Sequence, residues 1–210
     1  MPHTPEGTYI YHITDVANLK AIIGGGGLLS DAALIARAGA PVVGIGHSHI
    51  KQRRLTQVRI PEAGNRFVGE FVPFYYCPRS PMLYTVNQGN TGRPQGCQTE
   101  IVHLVSTVAV GIGLGRQWAI SDVNAGSAYP NFFNDVRALD TALDWNAIQS
   151  KYWSSCATAK AAEFLVADSF PWTGIIGIGC HSQAVADHVT QLIGHAQHRP
   201  PVKPTPTWYY

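Results

Sequence analysis

The sequence predicts one compact domain with a mixed α/β or β-rich fold and many loops. Its 210 residues lie near the usual size of a single domain, so we expect residues 1–210 to form one. Apolar residues make up 45%, as in ordinary globular proteins, and the charged fraction of 13% is low. Glycine and proline contribute 21 and 14 residues, which indicates frequent turns. These values exclude a disordered chain and a coiled coil.

The composition also limits the compartment and the partners. No stretch reaches the roughly 18 apolar residues of a membrane span, and residues 1–7 lack a basic region leading into an apolar one. We therefore expect a cytoplasmic protein without a membrane partner. The four cysteines form no C-x-x-C pair, which indicates reduced thiols rather than a zinc site or a disulfide framework. A net charge of +2 is too small to predict nucleic-acid binding by itself.

Strands and helices alternate along the first half of the chain. Residues 9–14 are β-branched or aromatic and predict a strand, after which Asp15 can cap a helix over residues 16–23 that the glycines at 24–27 end. The next predicted features are a short helix (30–38), a basic polar segment (47–56), a turn (61–65), a long strand-like run (67–76), a rigid double-proline loop (77–81) and a strand or short helix (82–86).

The second half contains two apolar strands that are expected to be central. Residues 100–109 read as a buried strand, and residues 161–166 form another apolar strand that only Glu163 interrupts. Trp145, Ile148 and Tyr152 recur at helical spacing and predict a helix over 144–153. The other predicted features are a polar loop (88–98), a glycine-rich turn (111–116), a polar stretch (121–135), a strand-like run (175–178), a helix (182–195) and a proline-rich tail from Arg199.

Three polar residues sit in apolar strands. His12 and Thr14 are two residues apart and therefore share one face of the first strand. Glu163 interrupts a run otherwise fit for burial, and a buried ionised carboxylate needs partners or a cleft. Glu163 is thus a candidate functional residue, the alternative being a paired or sheet-edge structural glutamate.

Other local patterns do not carry a cofactor prediction. The glycines at 24–27 and 111–115 fit neither G-x-G-x-x-G nor G-x-x-x-x-G-K-[ST], so we read them as a helix stop and a turn. His47 and His49 could share a strand face, but no Cys, Asp or Glu lies near enough to complete a local ligand set. We expect no metal.

Four blocks of the sequence together resemble the DarT family of DNA ADP-ribosyltransferase toxins. The most specific block is V-P-F-Y-Y-C-P-R-S-P-M-L-Y at residues 72–84. The others are Y-H-I-T at 11–14 followed by Asn18, Leu19 and Ile22, I-K-Q-R-R at 50–54, and A-E-F-L-V at 162–166. They occur in the family's order, and the resemblance extends from about residue 9 to about residue 180.

The resemblance implies an α+β fold of the ADP-ribosyltransferase type, in which a mixed β-sheet splits around an NAD cleft and helices flank it. It implies an enzyme that moves ADP-ribose from NAD, its co-substrate, to a base of single-stranded DNA, often thymine. Such an enzyme acts as the toxin of a toxin–antitoxin pair whose antitoxin is a macrodomain hydrolase, and it needs no metal.

The resemblance also assigns the centre of the site. Breaking the nicotinamide glycosidic bond develops positive charge on the ribose, which a carboxylate stabilises, and Glu163 matches the family's catalytic glutamate. The K-x-x-R spacing selects Arg54 over Arg53 as the residue that faces the NAD phosphate and the reacting base. His12 and Thr14 match positions that line the nicotinamide-ribose end of the cleft.

Further matching residues are assigned to NAD or to DNA. Tyr75, Tyr76 and Met82 belong to the cofactor side, with one of the two tyrosines stacking on NAD. The DNA side comprises Arg79, Arg53 and Lys160 as phosphate contacts, and Asn124 and Tyr129 in a polar loop implicated in holding the strand.

One segment departs from the family pattern. Family members carry a longer, arginine-rich insertion before the catalytic glutamate, whereas residues 153–160 are short and hold a single cation, Lys160. Two alternatives therefore stay open. The chain could transfer ADP-ribose to another acceptor, namely guanine, RNA or protein. It could also be a catalytically degenerate module that binds NAD or nucleic acid.

Overall fold

The computed structural model describes residues 2–37, 43–46 and 48–210, so Ala38 and His47 of the sequence predictions lie outside the described residues. The strands are β1 (Tyr9–Asp15), β2 (Gly27–Leu29), β3 (Arg59–Ile60), β4 (Arg66–Phe67), β5 (Phe71–Tyr75), β6 (Ile101–Thr107), β7 (Trp118–Ser121), β8 (Phe132–Phe133), β9 (Glu163–Ala167), β10 (Ser169–Pro171), β11 (Gly177–Cys180) and β12 (Val202–Pro204). The helices are α1 (Leu19–Gly24), α2 (Asp31–Ala36), α3 (Ser48–Thr56), α4 (Pro81–Asn87), α5 (Val108–Gly113), α6 (Ala138–Thr141), α7 (Trp145–Gln149), α8 (Ala157–Lys160) and α9 (Gln183–Ile193).

One large sheet organises the molecule. Eight strands pair in the order β12-β11-β6-β1-β5-β9-β7-β8, and neighbours are antiparallel except for the parallel pair β11 and β12. Two small sheets, β10 with β2 and β3 with β4, complete the β-structure of the described chain. The mixed α+β fold implied by the resemblance is therefore confirmed.

The sheet splits between its two central strands. Within the described residues, β1 and β5 pair in register only at Tyr11 and Tyr75, whereas β1 pairs with β6 along all seven of its residues. Beyond Tyr11, His12 Nδ1 lies 2.8 Å from the carbonyl oxygen of Pro73 and bridges the gap with a side chain. In an antiparallel pair the N–H and C=O of one residue point to the same side, so the N–H that Pro73 lacks would have faced β1. Proline thus prevents regular pairing here and leaves a cleft.

The apolar core lies on both faces of this sheet. On one face, α9 packs through Ala186, Val189 and Ile193, which are buried. A close approach at α5 requires glycine, because a Cβ at Gly111 would lie 2.4 Å from Phe164 Cε1 in β9. No helix in the described ranges is long and apolar enough to span a bilayer.

Several sequence predictions match these elements and others fail for identifiable reasons. The first strand and the Asp15 cap are confirmed, since the Asp15 carboxylate accepts the N–H of Ala17. The long strand predicted over 67–76 is wrong, because Glu70 Oε2 accepts the N–H of Phe67 and closes a 3-10 turn that separates β4 from β5. The helix predicted over 144–153 ends at Gln149, and the segment 82–86 is helical within α4.

Candidate active site

Glu163 opens β9 and lies between two partner strands. Its register partners are Tyr75 on β5 and Ser121 on β7. Directly opposite residues of antiparallel strands share a face, so these three side chains point the same way. Glu163 is fully buried, with 0% of its surface exposed, and its N–H donates to Ser121 Oγ at 3.3 Å.

The buried carboxylate of Glu163 is held by a cation and by the loop that follows β7. Arg54 Nη1 donates to both carboxylate oxygens, at 3.0 Å to Oε1 and 2.9 Å to Oε2. Asn124 Nδ2 donates to Oε1 at 2.8 Å, and the N–H of Ala125 does so at 3.2 Å. These donors compensate the charge, as a carboxylate in a low-dielectric interior requires.

Arg54 reaches Glu163 from α3 and covers it on the cleft side. Its guanidinium is buried, and Nη2 has no hydrogen-bond partner among the described residues. Burial is the largest single effect and lowers the pKa of Arg54, but the charge and hydrogen bond of Glu163, with smaller contributions from Tyr75 and Asp31, together outweigh it. The pKa is therefore raised and the group stays cationic. Arg53, one residue earlier on the helix, instead lines a separate surface cavity together with Arg59 and Tyr129.

The cleft at the split of the sheet is a cavity of about 250 Å³. His12 is partly buried, and burial lowers its pKa despite the hydrogen bond to Pro73, so the ring is neutral near pH 7. Because a carbonyl oxygen only accepts, Nδ1 carries the proton and Nε2 is left as an acceptor. Thr14 Oγ1 accepts from Asn18 Nδ2 at 3.1 Å, which leaves the Thr14 hydroxyl proton for a ligand. Residues that line the cavity include His12, Thr14, Asp31, Lys51, Arg54, Pro73, Tyr75, Met82 and Asn124.

The two neighbouring tyrosines, Tyr75 at the end of β5 and Tyr76 just after it, point to different parts of the molecule. Tyr75 lines the cleft and hydrogen-bonds with Asn124, and its pKa is raised by burial and by the charge of Glu163, so its hydroxyl stays protonated. Tyr76 is buried in the core, with its ring edge-on to Trp145. The structure does not bring Tyr76 to the cleft, so Tyr75 is the one of the two tyrosines that is placed to stack on NAD.

The residues predicted to contact DNA differ in how far they are exposed to solvent. Lys160 is 2% exposed and its ammonium donates to the carbonyl oxygen of Ile148, so the predicted phosphate contact there is wrong. Asn124 faces Glu163 rather than solvent. Arg79 is half-buried, with its guanidinium 4.4 Å above the ring of Tyr210, and Tyr129 is 92% exposed.

The structure adds residues that sequence reasoning missed. Pro73 marks the split of the sheet, and a proline inside a strand-like run is a usable sign of interrupted pairing. Ser121 and Ala125 hold Glu163 through backbone and hydroxyl groups, which leave no local pattern in the sequence. Among the described residues, no group of three or more His, Cys, Asp or Glu side chains is placed to hold a metal ion.

A split, mostly antiparallel sheet with a buried glutamate and arginine beside the cleft defines an ADP-ribosyltransferase. Residues 11–210 match the family model of DarT, the ssDNA thymidine ADP-ribosyltransferase. The chain therefore belongs to the DarT family.

Individual relatives support this membership. A DNA ADP-ribosyl transferase of Thermus aquaticus (strain ATCC BAA-2747 / Y51MC23) is 36% identical over 208 residues, covering 98% of this chain and 90% of that protein. The structure of Thermus sp. 2.9 DarT in complex with ADP-ribosylated ssDNA has a TM-score of 0.89 at 36% identity, with both chains fully covered. The same protein in complex with NAD+ gives a TM-score of 0.84 at 33% identity, also over both full chains.

Proposed function

We propose that this chain transfers ADP-ribose from NAD to the base of thymidine in single-stranded DNA and releases nicotinamide. The observation that carries the proposal is Glu163, fully buried beside the cleft and paired with Arg54 at 2.9 Å. One relative, Thermus sp. 2.9 DarT, has been solved both with NAD+ and with ADP-ribosylated ssDNA, which supports NAD as co-substrate and single-stranded DNA as acceptor.

The proposed reaction is a displacement at the ribose C1′ of NAD. The bond from C1′ to the nicotinamide nitrogen breaks, nicotinamide leaves with the electron pair, and the ribose gains oxocarbenium character. The carboxylate of Glu163, holding the ribose 2′-hydroxyl, stabilises this charge mainly in the transition state. The thymine ring nitrogen N3 then bonds to C1′ and its proton is lost to the carboxylate or to water.

Arg54 has to turn from the carboxylate for this step to occur. In the structure it covers Glu163, yet Nη2 is buried and unpartnered, a state that a bound phosphate or carbonyl oxygen would relieve. We propose that Arg54 moves its donors towards the NAD phosphate and the reacting base. His12 and Thr14 then meet the nicotinamide ribose, and Tyr75 and Met82 pack against NAD.

The acceptor strand is proposed to lie outside the cleft, along the surface that carries Arg53 and Tyr129 on one side and Arg79 on the other. The cations contact phosphates, and the exposed ring of Tyr129 offers a face on which an unpaired base stacks.

The cellular role follows from the family. We propose that residues 1–210 form one ADP-ribosyltransferase domain that acts as a toxin in the cytoplasm, where NAD and DNA are both present. Its partner would be a macrodomain antitoxin that hydrolyses the modification.

The proposal is tested with NAD labelled on the adenylate and single-stranded oligonucleotides that contain or lack thymidine. We expect the label on thymidine-containing strands only, together with stoichiometric nicotinamide release. Labelling of guanine, RNA or protein instead would show that the acceptor is not thymidine. The absence of any nicotinamide release would favour a degenerate module that binds NAD or nucleic acid. Glu163→Gln serves as the inactive control.

A further inference from the structure

We infer that Asn124 is a positioning residue that fixes the rotation of the Glu163 carboxylate and leaves Oε2 as the oxygen that meets the substrate. The inference rests on the proposed function, because it concerns the same reaction. It replaces the DNA contact that the sequence suggested for Asn124, since this side chain points to the carboxylate.

The amide of Asn124 has a defined orientation. Its Oδ1 accepts the N–H of Gly126 at 2.9 Å, and a backbone N–H can only donate, so the oxygen is identified by its partner. Nδ2 therefore faces the other way, 2.8 Å from Glu163 Oε1, and the side chain also hydrogen-bonds with the Tyr75 hydroxyl. Both ends of the amide are thus occupied by groups of the site.

The two oxygens of the carboxylate have unequal partners. Oε1 accepts from Arg54, Asn124 and Ala125, whereas Oε2 accepts from Arg54 alone among the described residues. Arg54 donates to both oxygens through one nitrogen and does not distinguish them. When Arg54 turns to NAD, Oε1 keeps two donors and Oε2 keeps none, so Oε2 is the oxygen free to accept the ribose hydroxyl. Without Asn124 the carboxylate would lose the shorter of its two hydrogen bonds to the loop and would be free to rotate.

The loop that carries Asn124 is seated closely on α3. A Cβ at Gly126 would lie 2.9 Å from Ile50 Cγ2 and 3.1 Å from Arg54 Cγ, so a side chain at position 126 would displace the loop. Gly126→Ala therefore disturbs the seating of Asn124, whose Oδ1 would lie 3.1 Å from the added Cβ, without changing the chemical identity of any polar side chain of the site.

The main test is Asn124→Asp, which keeps the shape of the side chain but replaces the donor by an oxygen. We expect kcat for transfer to single-stranded DNA to fall roughly 10- to 100-fold, with KM for NAD within about twofold. The acid limb of the pH–rate profile should move to higher pH, because a carboxylate without this donor, next to another carboxylate, holds its proton more tightly. Asn134→Asp is the matched control, since Asn134 is exposed and its amide donates to the Trp118 carbonyl.

The outcomes separate the inference from the proposed function. If the unaltered protein transfers no ADP-ribose to single-stranded DNA, the proposed function fails. If it does, and Asn124→Asp retains both its kcat and its pH profile, the positioning role is overturned. Should circular dichroism show that Asn124→Asp is unfolded, Gly126→Ala decides: a lower kcat with an upward shift of the acid limb supports the inference, and unchanged kinetics contradict it.

Discussion

Glu163 and Arg54 depend on each other for burial as well as for chemistry. Removing one member of a buried ion pair leaves an uncompensated charge, which typically costs about 3–5 kcal/mol. Arg54 lines the cleft and can reach water there, whereas Glu163 is 0% exposed. Leaving Arg54 without Glu163 therefore destabilises the fold less than leaving Glu163 without Arg54. The choice of substitution at Glu163 therefore decides whether catalysis or stability is measured.

We expect Glu163→Gln to lower the rate of transfer by at least 10²–10³-fold, because the neutral amide no longer stabilises the ribose cation. Its melting temperature should fall less than that of Glu163→Ala, since the amide oxygen still accepts from Arg54 Nη1. Transfer assays and thermal unfolding check both statements. Near-normal transfer by Glu163→Gln would show that the role of Glu163 is purely structural.

The sequence reveals some site residues and conceals others for physical reasons. A carboxylate inside an apolar strand stands out locally, so Glu163 is found without a structure. Lys160 also looks functional as an isolated cation, yet its ammonium is buried against the Ile148 carbonyl. Nothing in the local sequence announces a backbone acceptor 12 residues away that satisfies a buried lysine. The same limit hides the role of Ala125, whose contribution is its N–H.

At the scale of a helix, α3 separates two adjacent arginines. Successive helical residues point about 100° apart, which places Arg54 at Glu163 and Arg53 in the surface cavity.

We therefore expect Arg54→Lys to reduce kcat strongly, by about 10²-fold or more, because a lysine lacks the planar donor set. Arg53→Lys should be nearly neutral and Arg53→Ala should raise KM for DNA only. Steady-state kinetics with NAD and an oligonucleotide varied separately distinguish these effects. Equal losses of kcat at both positions would show that the helix register assigned to the site is wrong.

At the scale of strands, the tail of the chain is fastened to β6 through a buried histidine. His103 Nε2 donates to the Pro78 carbonyl at 3.0 Å, and Nδ1 lies 3.2 Å from the Tyr209 hydroxyl. Burial lowers the pKa of His103 to about 4, against an ordinary value of 6.5. The unfolded chain therefore binds this proton at a higher pH than the folded protein does.

The free energy of unfolding should thus be independent of His103 above about pH 6.5 and decrease as pH falls from 6.5 towards 4, by about 3 kcal/mol at most. Urea unfolding at several pH values measures this slope. His103→Gln keeps a donor for the Pro78 carbonyl but removes the titrating ring. The slope of the free energy of unfolding against pH should therefore decrease by the contribution of up to one proton. His188→Gln, on the exposed side of α9, is the control and should leave it unchanged. Equal slopes for His103→Gln and the unaltered protein would contradict the assignment.

The elements that sequence patterns missed are those held by distant contacts. The segment that forms α3 has few apolar residues and gives no amphipathic pattern, because a buried ion pair to β9 anchors it. The proline-rich tail contains β12, which pairs with β11 and has no strand signal of its own. By contrast, β1 and β6 consist mainly of β-branched, aromatic and other apolar residues, so the local sequence predicts both strands.

At the scale of the molecule, the cleft accepts an unpaired base more readily than a paired one. In a duplex, N3 of thymine is engaged in Watson–Crick pairing, so its extrusion costs a few kcal/mol. We expect single-stranded DNA to be labelled and the duplex of the same sequence to stay unlabelled. Few cations are available, since Lys160 is buried and the candidate phosphate contacts are Arg53 and Arg79. At about −0.7 per phosphate, log affinity against log salt should have a slope near −1.4.

Gel assays on matched single and double strands check the expected preference for single-stranded DNA. Binding titrations between about 50 and 200 mM salt check the expected slope of log affinity against log salt. Equal labelling of both strand states would mean that the enzyme extrudes paired bases. A slope steeper than about −4 would mean that the strand follows a longer basic path than the one proposed.

Arg54 and Glu163 are separated by 109 positions in the chain, and β9 is inserted between strands made before it, β5 and β7. On the ribosome the cation and much of the cleft emerge first, and the carboxylate follows after roughly 5–20 s at 5–20 residues per second. A nascent polypeptide therefore carries no assembled active site during this interval. A fragment that stops before residue 163 lacks this carboxylate, so the proposed transfer cannot begin until residue 163 has been synthesised.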